Sequence, residues 1–153
     1  MKALVIADNK ASLQLLCEQI RTIGITPLPA ETSANGIDMF QSEHPDMVLL
    51  DVIMPDLGGY EVARQIRQLE PPGSWTPVIF MISLYKDKDK DKEIEMSIAA
   101  GGDDFLLKPI SEVILSAKIR SMQRTIQMRH YLLALTRKLD SANQELKRLT
   151  SLD

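Results

Sequence analysis

Five short apolar runs punctuate the chain, and between them apolar residues recur every three or four positions. Residues 3–6 (Ala-Leu-Val-Ile) predict a buried strand. A helix follows, with Leu13, Leu16, Cys17, Ile20 and Ile23 on one face and Gly24 closing it. Residues 25–28 form a weaker second strand, and a helix over 33–42 turns Ile37 and Phe40 inward. The third strand covers 47–50. A helix over 59–69 then carries Val62, Ile66 and Leu69 on one face, until Pro71, Pro72 and Gly73 break it. Strand four covers 78–82, a fourth helix 94–100 and a short fifth strand 105–107. From Ser111 onward the pattern is helical throughout.

Strands separated by helices predict a parallel sheet covered on both faces. In such sheets a site forms beyond the carboxyl ends of the strands, at the switch point of strand order. Asp8 follows strand one, Asp51 strand three, Ser83 strand four and Lys108 strand five. Taken singly each has an ordinary reading: Asp8 caps a helix, Asp51 caps a turn, Lys108 is a solvated loop residue. Together they put two carboxylates, a hydroxyl and an ammonium on one edge. Neighbouring carboxylates repel, and a hard cation such as Mg²⁺ relieves this. An Asp oxygen can then attack a phosphoryl group whose charge the cation and a lysine neutralise.

Composition narrows the classes. The apolar fraction is 44% and the charged fraction 25%, ordinary values for a folded domain. No apolar run is long enough to span a membrane, and the N-terminus reaches an acid too early for a signal peptide. The lone Cys17 excludes a disulfide framework, fits a packing role, and is consistent with a cytoplasmic protein. Residues 1–110 hold 10 basic and 17 acidic groups, whereas 111–153 hold 8 and 4. This describes an acidic globular part with a basic helical tail, and no aromatic-interleaved basic patch for nucleic acid.

The pattern Asp51-x-x-Met54-Pro55-x-x-x-Gly59, with Lys108-Pro109 downstream, resembles the receiver domain of bacterial two-component response regulators over residues 1–120. The resemblance implies a flavodoxin-like (βα)5 fold with a doubly wound five-stranded parallel sheet, here with an extended C-terminal helix. It implies that Asp51 is the phosphoacceptor, charged by a sensor histidine kinase or a phosphotransfer protein. Asp8, Asp51 and the backbone carbonyl of Ile53 would ligate Mg²⁺ (or Mn²⁺). Lys108 and Ser83 would contact the phosphoryl group, and Ser83 and Phe105 would act as switch residues. Pro55, Gly59 and Pro109 shape the turns, with a cis bond implied before Pro109.

Two positions depart from the family. Receivers usually carry an acidic pair after strand one, where this chain has Ala7-Asp8. Counting from Pro77 puts Ile82 where the family has Ser or Thr, with Ser83 one place later. Either a local bulge presents Ser83, or the switch hydroxyl is missing. The alternating run Lys86 to Lys92 reads as a solvated lead into the next helix, or else as an altered face for a partner. A degenerate receiver, acting only as an interaction and dimerisation module, is therefore the alternative function. A small flavodoxin-like ligand-binding domain is a third, opposed by the absence of a Gly-rich phosphate loop.

The tail outruns the single closing helix that a receiver needs. Leu132, Leu135, Leu139, Ala142, Leu146 and Leu149 follow a heptad seam, which predicts a parallel homodimer through residues 121–153. Leu115, Ile119, Met122 and Ile126 keep their own spacing. The two registers disagree near residues 127–129, so a stutter or a change of packing is expected there. The end, with Leu149-x-x-x-Asp153, resembles the connector entering a diguanylate cyclase of the GGDEF type, which would place an output domain beyond. No cyclase motif lies in the chain, which is therefore expected not to be an enzyme itself.

Overall fold

The computed structural model describes residues 1–84 and 89–151. Ten elements follow in order: β1 (Lys2–Ile6), α1 (Lys10–Thr22), β2 (Thr26–Ala30), α2 (Ser33–Glu43), β3 (Met47–Asp51), α3 (Gly59–Leu69), β4 (Val78–Ile82), α4 (Lys90–Ala99), β5 (Asp104–Leu107) and α5 (Glu112–Thr150). The five strands form one parallel sheet in the order β2-β1-β3-β4-β5. Order reverses after β1, so the edge between β1 and β3 is the switch point. All residues of β3 and β4 are buried, as expected of central strands covered on both faces. One side of the sheet packs Leu4, Ile6, Val48, Leu50, Val78, Phe80 and Ile82 against Val62, Ala63 and Ile66 of α3 and Phe40 of α2.

Local chemistry sets the boundaries. Asn9 caps α1 by accepting the Ser12 N–H at 3.1 Å, so Asp8 is not the cap. Gly24 leaves the helix at φ +91°. Strand β2 lies one to two residues later than its apolar pattern predicts, because Pro27 and Pro29 interrupt that pattern. On an edge strand they are tolerated. The Thr26 N–H donates to Met1, and alternation turns the two proline nitrogens to the free edge. Ile37 is half-buried against the core, whereas Leu69, expected on the inward face of α3, is 37% exposed.

Helix α4 begins four residues before its predicted start. Asp89 caps it through the Asp91 N–H at 3.0 Å, and Lys90 to Lys92 are exposed in its first turn. Of the alternating run, Lys86, Asp87 and Lys88 lie outside the described residues. The chain divides into two compact units, Met1–Lys118 and Ile119–Asp153. Helix α5 is continuous through residues 127–129, with no break where the registers disagree. Among the described residues no helix is long and apolar enough to cross a membrane.

Candidate functional site

Asp51 is the last residue of β3, and its side chain is almost wholly buried, with 3% of the residue exposed. Its Oδ1 accepts the N–H of Ile53 at 3.1 Å, a tight turn that fixes the carboxylate. Its Oδ2 is ion-paired to the ammonium of Lys108. Lys108 follows β5, and its own N–H donates to the Ile82 carbonyl at 2.9 Å. The Lys108–Pro109 peptide is cis. A carboxylate from β3 and an ammonium from beyond β5 thus meet across β4, with the negative charge neutralised where burial makes an isolated charge costly.

The loop after Asp51 is held tightly. Met54 is buried in the core, and the Gly59 N–H donates to the Val52 carbonyl at 2.9 Å. A Cβ on Gly59 would lie 2.2 Å from the Asp51 carbonyl oxygen, so only glycine lets α3 start so close to β3. Asp56, which sequence spacing did not mark, accepts the Ser33 N–H at 3.0 Å and the Ala34 N–H at 3.4 Å. Nothing local signals this, since the partners are 23 and 22 residues away.

Asp51 and Lys108 form part of the lining of a cleft of about 520 Å³, together with Ala7, Ser83, Leu84 and Pro109. Strand β4 pairs regularly with β5 through Ile82↔Leu107, so no bulge presents Ser83. Ile82 is buried in the core and offers no hydroxyl there, while Ser83 reaches the cleft as the first residue past the strand. Among the described residues no hydrogen bond joins Ser83 to Asp51 or Lys108. Asp8 is exposed just beyond β1, the strand next to β3. Neither Asp8 nor Ile53 lines the cleft. Phe105 is half-buried on β5, with the Lys118 ammonium 4.5 Å from its ring centre.

Among the described residues no three His, Cys, Asp or Glu side chains form a metal-holding group. A cation at this edge would draw on the carboxylates of Asp8 and Asp51 and on backbone oxygen such as the Ile53 carbonyl. That donor set is all hard oxygen, which fits Mg²⁺ or Mn²⁺ and suits a softer metal poorly. Ala7 leaves it one carboxylate short of a pair after β1.

Comparison with known proteins gives a consistent picture. Residues 3–120 match the response regulator receiver domain family. The chain is 33% identical over 125 residues to the "Probable transcriptional regulator ycf27" of Porphyridium aerugineum, covering 82% of this chain and 49% of that one. It is 35% identical over 123 residues to the transcriptional regulatory protein YxdJ of Bacillus subtilis, covering 80% and 50%. The chain thus spans about half the length of the curated relatives it matches. Among solved structures, a two-component response regulator from Clostridium difficile superposes with a TM-score of 0.72 at 27% identity, covering 81% of this chain and 96% of that one. A BeF3-activated DrrB receiver domain gives 0.66 at 28%, covering 80% and 97%.

Proposed function

The chain belongs to the response regulator receiver family, and from that premise we propose that Asp51 accepts a phosphoryl group from the phosphohistidine of a sensor kinase or phosphotransfer protein. The observation that carries this reading is the ion pair of the buried Asp51 with the half-buried Lys108 in an accessible cleft. An Asp51 oxygen attacks phosphorus in line as the histidine N–P bond breaks. The electron pair of that bond stays on the imidazole nitrogen, and an acyl phosphate forms. Lys108 turns from the free carboxylate to the new phosphoryl oxygens. Ser83 supplies a hydroxyl from the cleft wall, in place of the one that Ile82 lacks. Asp8, Asp51 and the Ile53 carbonyl would hold a Mg²⁺ ion, which would supply charge neutralisation for the transferring group. The chain acts as a phosphoacceptor.

The signal is read out through residues 121–153, a helical linker that pairs with a second copy. The exposed Leu132, Leu139, Leu146 and Leu149 support this, being 54–69% exposed along one heptad seam. For output beyond the linker, the connector-like end suggests a diguanylate cyclase, but the relatives named above give that no support. Their names favour transcription regulation, and this is the preferred second reading of the whole protein's role. A phosphorylation-independent interaction module is the rival for the domain itself, motivated by Ala7 and Ile82.

Beryllofluoride with Mg²⁺ separates the two. The phosphorylation reading expects slower amide exchange around residues 51–59 and 105–109 in the wild type, and no change in Asp51→Asn. An unresponsive wild type would establish the interaction module instead.

A further inference from the structure

Two backbone segments, its own loop and the start of α2, meet at the exposed carboxylate of Asp56, a residue to which the proposed chemistry gives no task. Its two oxygens accept the Ser33 N–H at 3.3 and 3.0 Å, and Oδ2 also faces the Ala34 N–H at 3.4 Å. These are first-turn amides of α2, free of intrahelical partners and carrying the positive end of the helix dipole. Thr32 already caps the same helix locally, through the Asn35 N–H at 3.1 Å. The helix therefore has a cap of its own, and the long-range one ties α2 to something else.

That something is the loop that starts at Asp51. Val52 is fixed by its N–H to the Met81 carbonyl at 3.1 Å, and Gly59 by its N–H to Val52. Between them the buried Met54 is the one core anchor, and Ile53, Pro55 and Leu57 are exposed. Pro55 stiffens the link from Met54 to Asp56. The far end of the tie is itself firm: Ser33 is fully buried, and a Cβ on Gly36 would lie 2.5 Å from Ile6, so α2 sits directly against β1. The strand that precedes Asp8 and the loop that carries Ile53 are thereby joined through α2.

We propose that Asp56 is a positioning residue for cation binding, its contact with the α2 N-terminus setting the Ile53 carbonyl relative to Asp8 and Asp51. The proposal rests on the reading of Asp51 as a cation-dependent phosphoacceptor. With only two carboxylates available, the cation leans more on a correctly placed carbonyl than it would with an acidic pair.

The test uses the full chain and Mn²⁺ as probe, reading free ion by electron paramagnetic resonance and loop protection by hydrogen exchange. Asp56→Ala is expected to raise the Mn²⁺ dissociation constant three- to tenfold and to speed exchange at residues 53–57. Asp56→Asn keeps an acceptor oxygen for the Ser33 amide and is expected to recover most of both losses. A lower melting temperature with unchanged Mn²⁺ affinity and loop exchange would reduce Asp56 to a helix cap and overturn the proposal. Equal weakening in Asp56→Asn and Asp56→Ala, abolished by raised salt, would assign the effect to charge alone and also overturn it. A wild type that binds no Mn²⁺ would instead remove the underlying reading of the site.

Discussion

Asp51 can occupy the sheet edge because Gly59 has no side chain. A methyl at 59 would meet the Asp51 carbonyl at 2.2 Å and the Val52 Cα at 2.7 Å, both backbone and neither able to swing away. Gly59→Ala is therefore expected to cost about 1–3 kcal/mol, the usual range for overpacking, read from the denaturant midpoint. It should also slow phosphorylation, since the atoms displaced belong to Asp51's own peptide. Ile82 gives the opposite case. It is 1% exposed, so Ile82→Thr buries a hydroxyl and is expected to lose about 1–3 kcal/mol even if it restores the family's residue type. Asp51 and Lys108 were legible in sequence because one ends an apolar strand and the other directly follows one, and strand ends of a parallel sheet converge. Ser83 was legible as a candidate, but whether it came forward by a bulge was not, because register is a property of the paired strand. Asp56 was invisible: its partners are amides of another helix.

At the scale of elements, the helices around the site are joined by side chains that no periodicity reports. The Tyr60 hydroxyl of α3 donates to the Glu93 carboxylate of α4 at 2.8 Å, with its ring edge-on to Phe80 at 5.4 Å. Burial first, and then the adjacent Glu93, push the phenol above its ordinary value, so it stays a donor at neutral pH. Tyr60→Phe is expected to destabilise by about 1 kcal/mol, measured by urea unfolding. Asp56 links pH to stability. Burial alone would raise its carboxyl, but hydrogen bonds from Ser33, from the loop's own Asp56 and Leu57 amides and from Ala34 hold it below the usual 3.8. A carboxyl lowered in the folded state stabilises at pH values above its unfolded value and loses that contribution as pH falls through the folded one. The stability gap between wild type and Asp56→Ala should thus be constant near neutrality and shrink below pH 3.8. Strand and helix order followed from periodicity alone. Boundaries did not where proline breaks a strand's pattern, as in β2, or where charged residues wind into a first turn, as in α4.

For the whole molecule, the proposal joins a receiver to a dimerising helix. The seam leucines are apolar, regularly spaced and open on α5, and a second copy is the occupant that a heptad repeat selects. Sedimentation is expected to give about twice the 17.2 kDa chain mass, and Leu139→Lys with Leu146→Lys to return it to one chain. The fold class and the edge that holds the site were readable because a parallel sheet with short connections has few arrangements. Partner and output were not, since they depend on surfaces whose counterpart lies in another molecule. The central claim is that Asp51 carries the phosphoryl group. Its most direct test is to treat the full chain with acetyl phosphate and Mg²⁺, trap the acyl phosphate with borohydride, and map the reduced residue by peptide mass spectrometry. A single modified position at Asp51, absent without Mg²⁺, is the predicted result. An unmodified Asp51, or modification of another residue in its place, would contradict the claim.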